Sequence, residues 1–198
     1  TEKFSPETQQ LRDCVKEPSE KVIMHISNFR PIKRIPDIVN VFEGVLKQVD
    51  TRLILIGNGP ELENIRRMVE SKGLSDKVSF LGRQNDVSKL IPCADIYMLA
   101  SEHESFGLTA LESMSCGVPV VGSSGSGMDD FLGDGTAGLL YPAGDVGGMI
   151  DGCLRILTES GMKEKMGNAG RARAVKRYNV DSIVGIYEKL YENVTAQV

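Results

Sequence analysis

Six short apolar runs, at 22–27, 52–56, 78–81, 96–99, 119–122 and 138–140, alternate with amphipathic stretches of helical period. That alternation is the pattern of a parallel sheet covered by helices, because each helix must bury one face on strands that are themselves buried on both. The expected class is α/β, with a Rossmann-like doubly wound parallel sheet. Between the first two runs, Ile38, Val41, Phe42, Val45, Leu46 and Val49 recur at three- and four-residue steps and predict one buried helical stripe. The stretch 162–194 predicts two helices interrupted near 178–181, where Asp181 would cap the second. Tyr187, Leu190, Tyr191 and Val194 share a face of that last helix. Packing against this same domain is the simpler expectation for them, and docking on another domain is the alternative.

The 198 residues suit one domain with a real core. A net charge of −4, with both signs dispersed, argues against nucleic acid or an anionic membrane as the main partner. Any bound phosphate must then be held locally. No apolar run is long enough to span a bilayer, and the polar start lacks the regions of a signal peptide. The absence of an initial Met suggests a piece of a longer chain, with 1–20 as an interdomain segment and 21–198 as the domain. Cys14, Cys93, Cys116 and Cys153 are widely spaced, so reduced cysteines and a cytoplasmic setting are expected, without a zinc site or redox pair.

Three turns that follow predicted strands concentrate the chemistry. The first is E-H-E-S-F-G-L-T-A-L-E-S-M-S-C-G at 102–117. It lies at the carboxyl end of the sheet, where open α/β folds bind ligands. A helix starting near Gly107 would offer unpaired amides and its positive dipole end to an anion such as a diphosphate. Gly107 would let that anion approach the backbone. Glu104 and Glu112 fall before the helix and about a turn and a half inside it, suited to accept from sugar and ribose hydroxyls respectively. A solvated loop carboxylate and a surface helix residue would explain the spacing equally well.

The second turn, Gly57-Asn58-Gly59-Pro60-Glu61, permits positive φ or close backbone approach, and a plain strand-to-helix turn also accounts for it. The third, 27–34, carries Arg30, Lys33 and Arg34 at the same edge, either to stabilise a departing diphosphate or as a solvated basic turn. Arg83 and Gln84 reach that edge too, where an arginine can stack on a base. His25 reads as a satisfied core histidine and His103 as a loop residue. Asp129, Asp130 and Asp134 lack metal-ligand spacing, so a cap or a solvated loop is expected of them.

Taken together, G-N-G-P-E, F-L-G-R-Q, E-S-F-G-L-T-A-L-E and S-C-G-V-P-V-V resemble the family 4 retaining glycosyltransferases, in order and at that family's spacing, from about Lys21 onward. Within it, I-S-N-F-R-P-I-K-R and the run through S-E-H-E-S-F-G-L look most like members that join N-acetylglucosamine to L-malate in bacillithiol synthesis. The resemblance implies the C-terminal half of a GT-B enzyme, binding a UDP-sugar donor, with the acceptor bound by an N-terminal half. Carried over by position, Glu112 would hold the ribose and Glu104 the sugar hydroxyls. The backbone of Phe106, Gly107, Leu108 and Thr109 would meet sugar and phosphates, and Lys33 would neutralise the diphosphate. The base would lie near Gly82, Arg83 and Gln84, with Gly57 and Gly59 lining the cleft. No cofactor or metal is implied.

Two departures stand out. Asn28 occupies the position of an Arg common five residues before the Lys, so either Arg30 takes over the phosphate contact or the loop differs. The family's G-G-x-P-E stretch is Ser126-Gly127-Met128-Asp129-Asp130 here, which puts a contact or cap by that Pro-Glu pair in doubt. A non-catalytic nucleotide- or phosphate-binding module is the reading from a different class. A response-regulator-like domain is disfavoured, since no acidic cluster follows the first strand. Oligomeric state is left open.

Overall fold

All six apolar runs become parallel strands, because side chains that are apolar on both faces can be satisfied only between two layers of helices. The computed structural model describes residues 2–6, 20–125 and 127–195. The strands β1 (Lys21–Ser27), β2 (Thr51–Gly57), β3 (Val78–Gly82), β4 (Ile96–Leu99), β5 (Val120–Ser123) and β6 (Gly138–Tyr141) form one sheet in the order β3-β2-β1-β4-β5-β6. Every neighbouring pair is parallel. The expected doubly wound sheet is therefore observed, with its ends displaced by a residue or so. Residues 1 and 7–19, most of the expected interdomain segment and including Cys14, lie outside the described residues, as does Ser126.

The helices divide by face. On one, α1 (Ile35–Leu46), α2 (Leu62–Ser71) and α5 (Val146–Thr158) cover Ile23, Leu53, Leu55, Ile96 and Met98. On the other, α3 (Leu108–Ser115), α4 (Asp129–Leu132) and α6 (Met162–Arg177) cover Val22, Met24, Ile54, Ile56, Tyr97 and Leu99. In α1 the predicted stripe is real: Ile38, Val41, Phe42 and Val45 are wholly buried. Phe42→Ala there should cost about 3–5 kcal/mol, the usual range for an aromatic removed from a closed core.

The last helix, α7 (Val180–Thr195), starts where the sequence predicts a break. Its cap differs: Asn179 Oδ1 accepts from the Ser182 amide at 2.7 Å, and Asp181 falls within the first turn. The apolar stripe on α7 also departs from the simpler expectation. Tyr187, Leu190, Tyr191 and Val194 are all more than half exposed and do not pack into this domain. Among the described residues no helix is long and apolar enough to cross a membrane.

Candidate functional site

The chain leaves β1 toward β2 on one side and returns through β4 on the other, so the loops after these strands diverge and open a crevice at the carboxyl edge. Two adjoining hollows occupy it. One, of about 490 Å³, is walled by Asn28, Gly57, Asn58, Gly59, Arg83 and Gln84, with Ile56 and Val87 beneath. The other, of about 390 Å³, is walled by Lys33, Glu104, Ser105 and the run from Phe106 to Thr109. Ile26, Ser27 and Asn28 line both, so the end of β1 is the shared floor.

In the smaller hollow, Lys33 and Glu104 form an ion pair, and the Ser101 hydroxyl donates to Glu104 Oε1 at 2.9 Å. The two residues assigned separate ligand contacts are thus each other's partners here. A tight turn of helix, Pro31–Lys33, aims Lys33 inward and leaves Arg30 exposed at its start. Arg30 lines neither hollow, and Asn28 lines both.

Gly107 caps α3 with φ +83, and a Cβ there would sit 2.8 Å from Met128 Cγ. The glycine is thus required by its left-handed backbone and by Met128. The Phe106 ring turns away from the hollow into an aromatic cluster, 5.5 Å from Phe131 and 5.8 Å from Tyr178 between centroids. Only its backbone is left to the cleft side. Leu108 and Thr109, at the first two helical positions, lie where amides have no i−4 carbonyl within the helix. The Thr109 hydroxyl is bound by the buried Tyr97 hydroxyl at 2.7 Å.

Glu112 is the fifth residue of α3, one turn below Leu108 rather than a turn and a half inside, and lines neither hollow. Burial raises its carboxyl above the usual range, and Lys3 opposes that. Burial first, and to a lesser degree the charges of Glu104 and Glu112, raise the Tyr97 phenol and keep it protonated.

Gly57 and Gly59 serve a close approach, but to the chain itself. A Cβ at either would collide with a carbonyl of the turn after β1, that of Ser27 or of Asn28. Gln84 Nε2 donates to Leu81 O at 2.6 Å, while Arg83 is exposed at the rim. His103 is an exposed loop residue. Asp134 pairs with Arg173, whose hydrogen bond, with help from Thr136, holds its carboxyl well below the usual range. Asp129 Oδ2 accepts from the Gly125 amide at 2.7 Å. Cys93, Cys116 and Cys153 are buried, and burial pushes the thiols of the last two up to about 12.

The family model described as "Glycosyl transferases group 1" matches residues 7–173. The chain belongs to the group 1 glycosyltransferases. It is 38% identical, over 176 residues, to the N-acetyl-alpha-D-glucosaminyl L-malate synthase of Bacillus anthracis, covering 89% of this chain and 46% of that protein. Among solved structures, sucrose-phosphate synthase from Thermosynechococcus elongatus matches with a TM-score of 0.88 at 24% identity, over 100% of this chain and 51% of that one. TarM of S. aureus, solved with Fondaparinux, alpha-GlcNAc-glycerol and UDP, matches with a TM-score of 0.80 at 25% identity, over 89% and 36%. The chain spans about half the length of the curated relatives it matches. Its fold is the Rossmann-like half expected of a GT-B glycosyltransferase.

In this group 1 chain, sequence reasoning missed Ser27, Asn58, Ser101 and Ser105, small polar residues at strand ends and in turns. Their position just after apolar runs is the signal that could have found them. Met128 and Tyr178, which hold the 104–107 loop from behind, carry no such signal.

Proposed function

We propose that this chain is the donor-binding domain of a retaining glycosyltransferase that moves N-acetylglucosamine from UDP-N-acetylglucosamine to a small hydroxy acceptor, with L-malate the first candidate. The observation that carries the reading is the two-part crevice sharing Asn28, arginine-rimmed on one side and, on the other, holding Lys33 beside the start of a helix. A base fits against Arg83 and Gln84. The diphosphate then reaches Lys33 and the first amides of α3, where charge developing on the leaving group is stabilised as the glycosidic bond breaks. Glu104 turns from Lys33 to the sugar hydroxyls, and Glu112 accepts from the ribose. Attack comes from the face of the departing phosphate, with no protein nucleophile and no metal needed. The acceptor is held by the rest of the protein, which also covers the stripe on α7. The similarity to the malate synthase and the UDP bound in the TarM structure support this choice of substrates.

Calorimetry with UDP, UDP-N-acetylglucosamine and GDP-mannose tests it. UDP and its sugar should bind, and Lys33→Met should weaken both about tenfold, the loss of one charge-assisted contact. Glu112→Ala should weaken UDP itself, whereas Glu104→Ala should weaken mainly the sugar-bearing form. A preference for GDP-mannose, or transfer to malate by this chain alone, would overturn the assignment.

A further inference from the structure

His25 stands where an apolar side chain would complete the core. It is in β1, pairs in register with Leu55, shares its face with Ile23, and is wholly buried. Burying an imidazole is costly unless both nitrogens are bonded, and both are. Nδ1 donates to Met98 O at 2.9 Å, which leaves Nε2 to accept from the Ser27 hydroxyl at 2.8 Å. The environment favours that neutral form, since burial lowers the ring to about 4.

With its hydrogen committed to His25, Ser27 Oγ can only accept, and it accepts from the Phe29 amide at 3.3 Å. Among the described residues, Phe29 is one of two non-glycine residues with positive φ, at 39°. Its carbonyl accepts from the Glu61 amide at 3.0 Å, and the carbonyls before it pack on Gly57 and Gly59. A chain of bonds thus runs from β4 through His25 to both loops of the larger hollow.

We propose that His25 is a positioning residue of the nucleotide site, holding the turn 27–29 through the Ser27 hydroxyl in the shape that both hollows share. This rests on the donor-binding reading above only for the identity of the ligand. Two amide substitutions separate the role from mere core filling. His25→Asn places its amide near Nδ1 and ends short of Ser27, while His25→Gln reaches the place of Nε2 and offers Ser27 a carbonyl. Amide exchange at Phe29 and Glu61, followed without ligand, should quicken about tenfold in His25→Asn and in Ser27→Ala but not in His25→Gln, as expected for one lost hydrogen bond. UDP affinity should fall by about tenfold in the first two and by less than about threefold in the third. Equal behaviour of the Asn and Gln variants, or unchanged exchange in Ser27→Ala, would overturn the proposal. If exchange divides as expected while the unaltered chain fails to bind UDP, the positioning role stands and the nucleotide reading falls.

Discussion

The two edges of the sheet use charge in opposite ways. At the amino edge, Glu20 accepts from Arg52 Nε at 2.9 Å and Lys77 Nζ at 2.6 Å, and Asp95 accepts from the Val22 amide at 2.8 Å and Lys163 Nζ at 2.5 Å. Both carboxylates are almost fully buried. At the carboxyl edge Lys33 pairs with Glu104 in the crevice, while Arg30, Arg83 and Leu108 face solvent. Both described non-glycine residues with positive φ, Phe29 and Arg34, lie there. What distinguishes the two edges is therefore whether the charges are buried with partners within the fold and whether residues with side chains are held in costly conformations.

The strongest way to break this contrast is at the amino edge. Asp95→Ala leaves a buried amide and a lysine without their carboxylate and should cost about 4 kcal/mol in urea unfolding, with UDP affinity unchanged within about twofold. Parallel losses of stability and affinity would show that the edges are not separate.

Acid sharpens it next. Folding keeps His25 neutral, with a pKa near 4 against 6.5 in the free side chain, so the unfolded chain binds a proton first as pH falls. The stability present above pH 6.5 should decline toward pH 4 by roughly 3 kcal/mol. Urea titrations at a series of pH values should show this slope in the unaltered chain and lose it in His25→Gln.

The smallest effect is expected on α7, outside both edges. Leu190→Ser should change the melting point by the equivalent of less than about 0.5 kcal/mol, as for any exposed position. A larger loss would mean that the stripe packs within this chain after all.

The strands, the α1 stripe and the break before α7 were legible in the sequence because periodicity and turn chemistry are local. The three turns were legible as well, since each follows an apolar run. What each turn does was less so. Gly57, Gly59 and Gly107 were visible as glycines, but their reasons, the carbonyls of Ser27 and Asn28 and the side chain of Met128, come from residues distant in the chain. Arg30 and Lys33 look alike in sequence, and only the tight turn at Pro31–Lys33 points one inward and leaves the other exposed.

By itself, then, the sequence determined the layered fold, the edge at which the crevice opens and the kinds of group gathered there, because hydrophobic period and chain direction suffice for those. The tertiary structure alone decided the pairing of Lys33 with Glu104, the exposure of Arg30, and the line from Met98 through His25 to Phe29. Those depend on which side chains meet across the sheet, and a one-dimensional pattern carries no such distances.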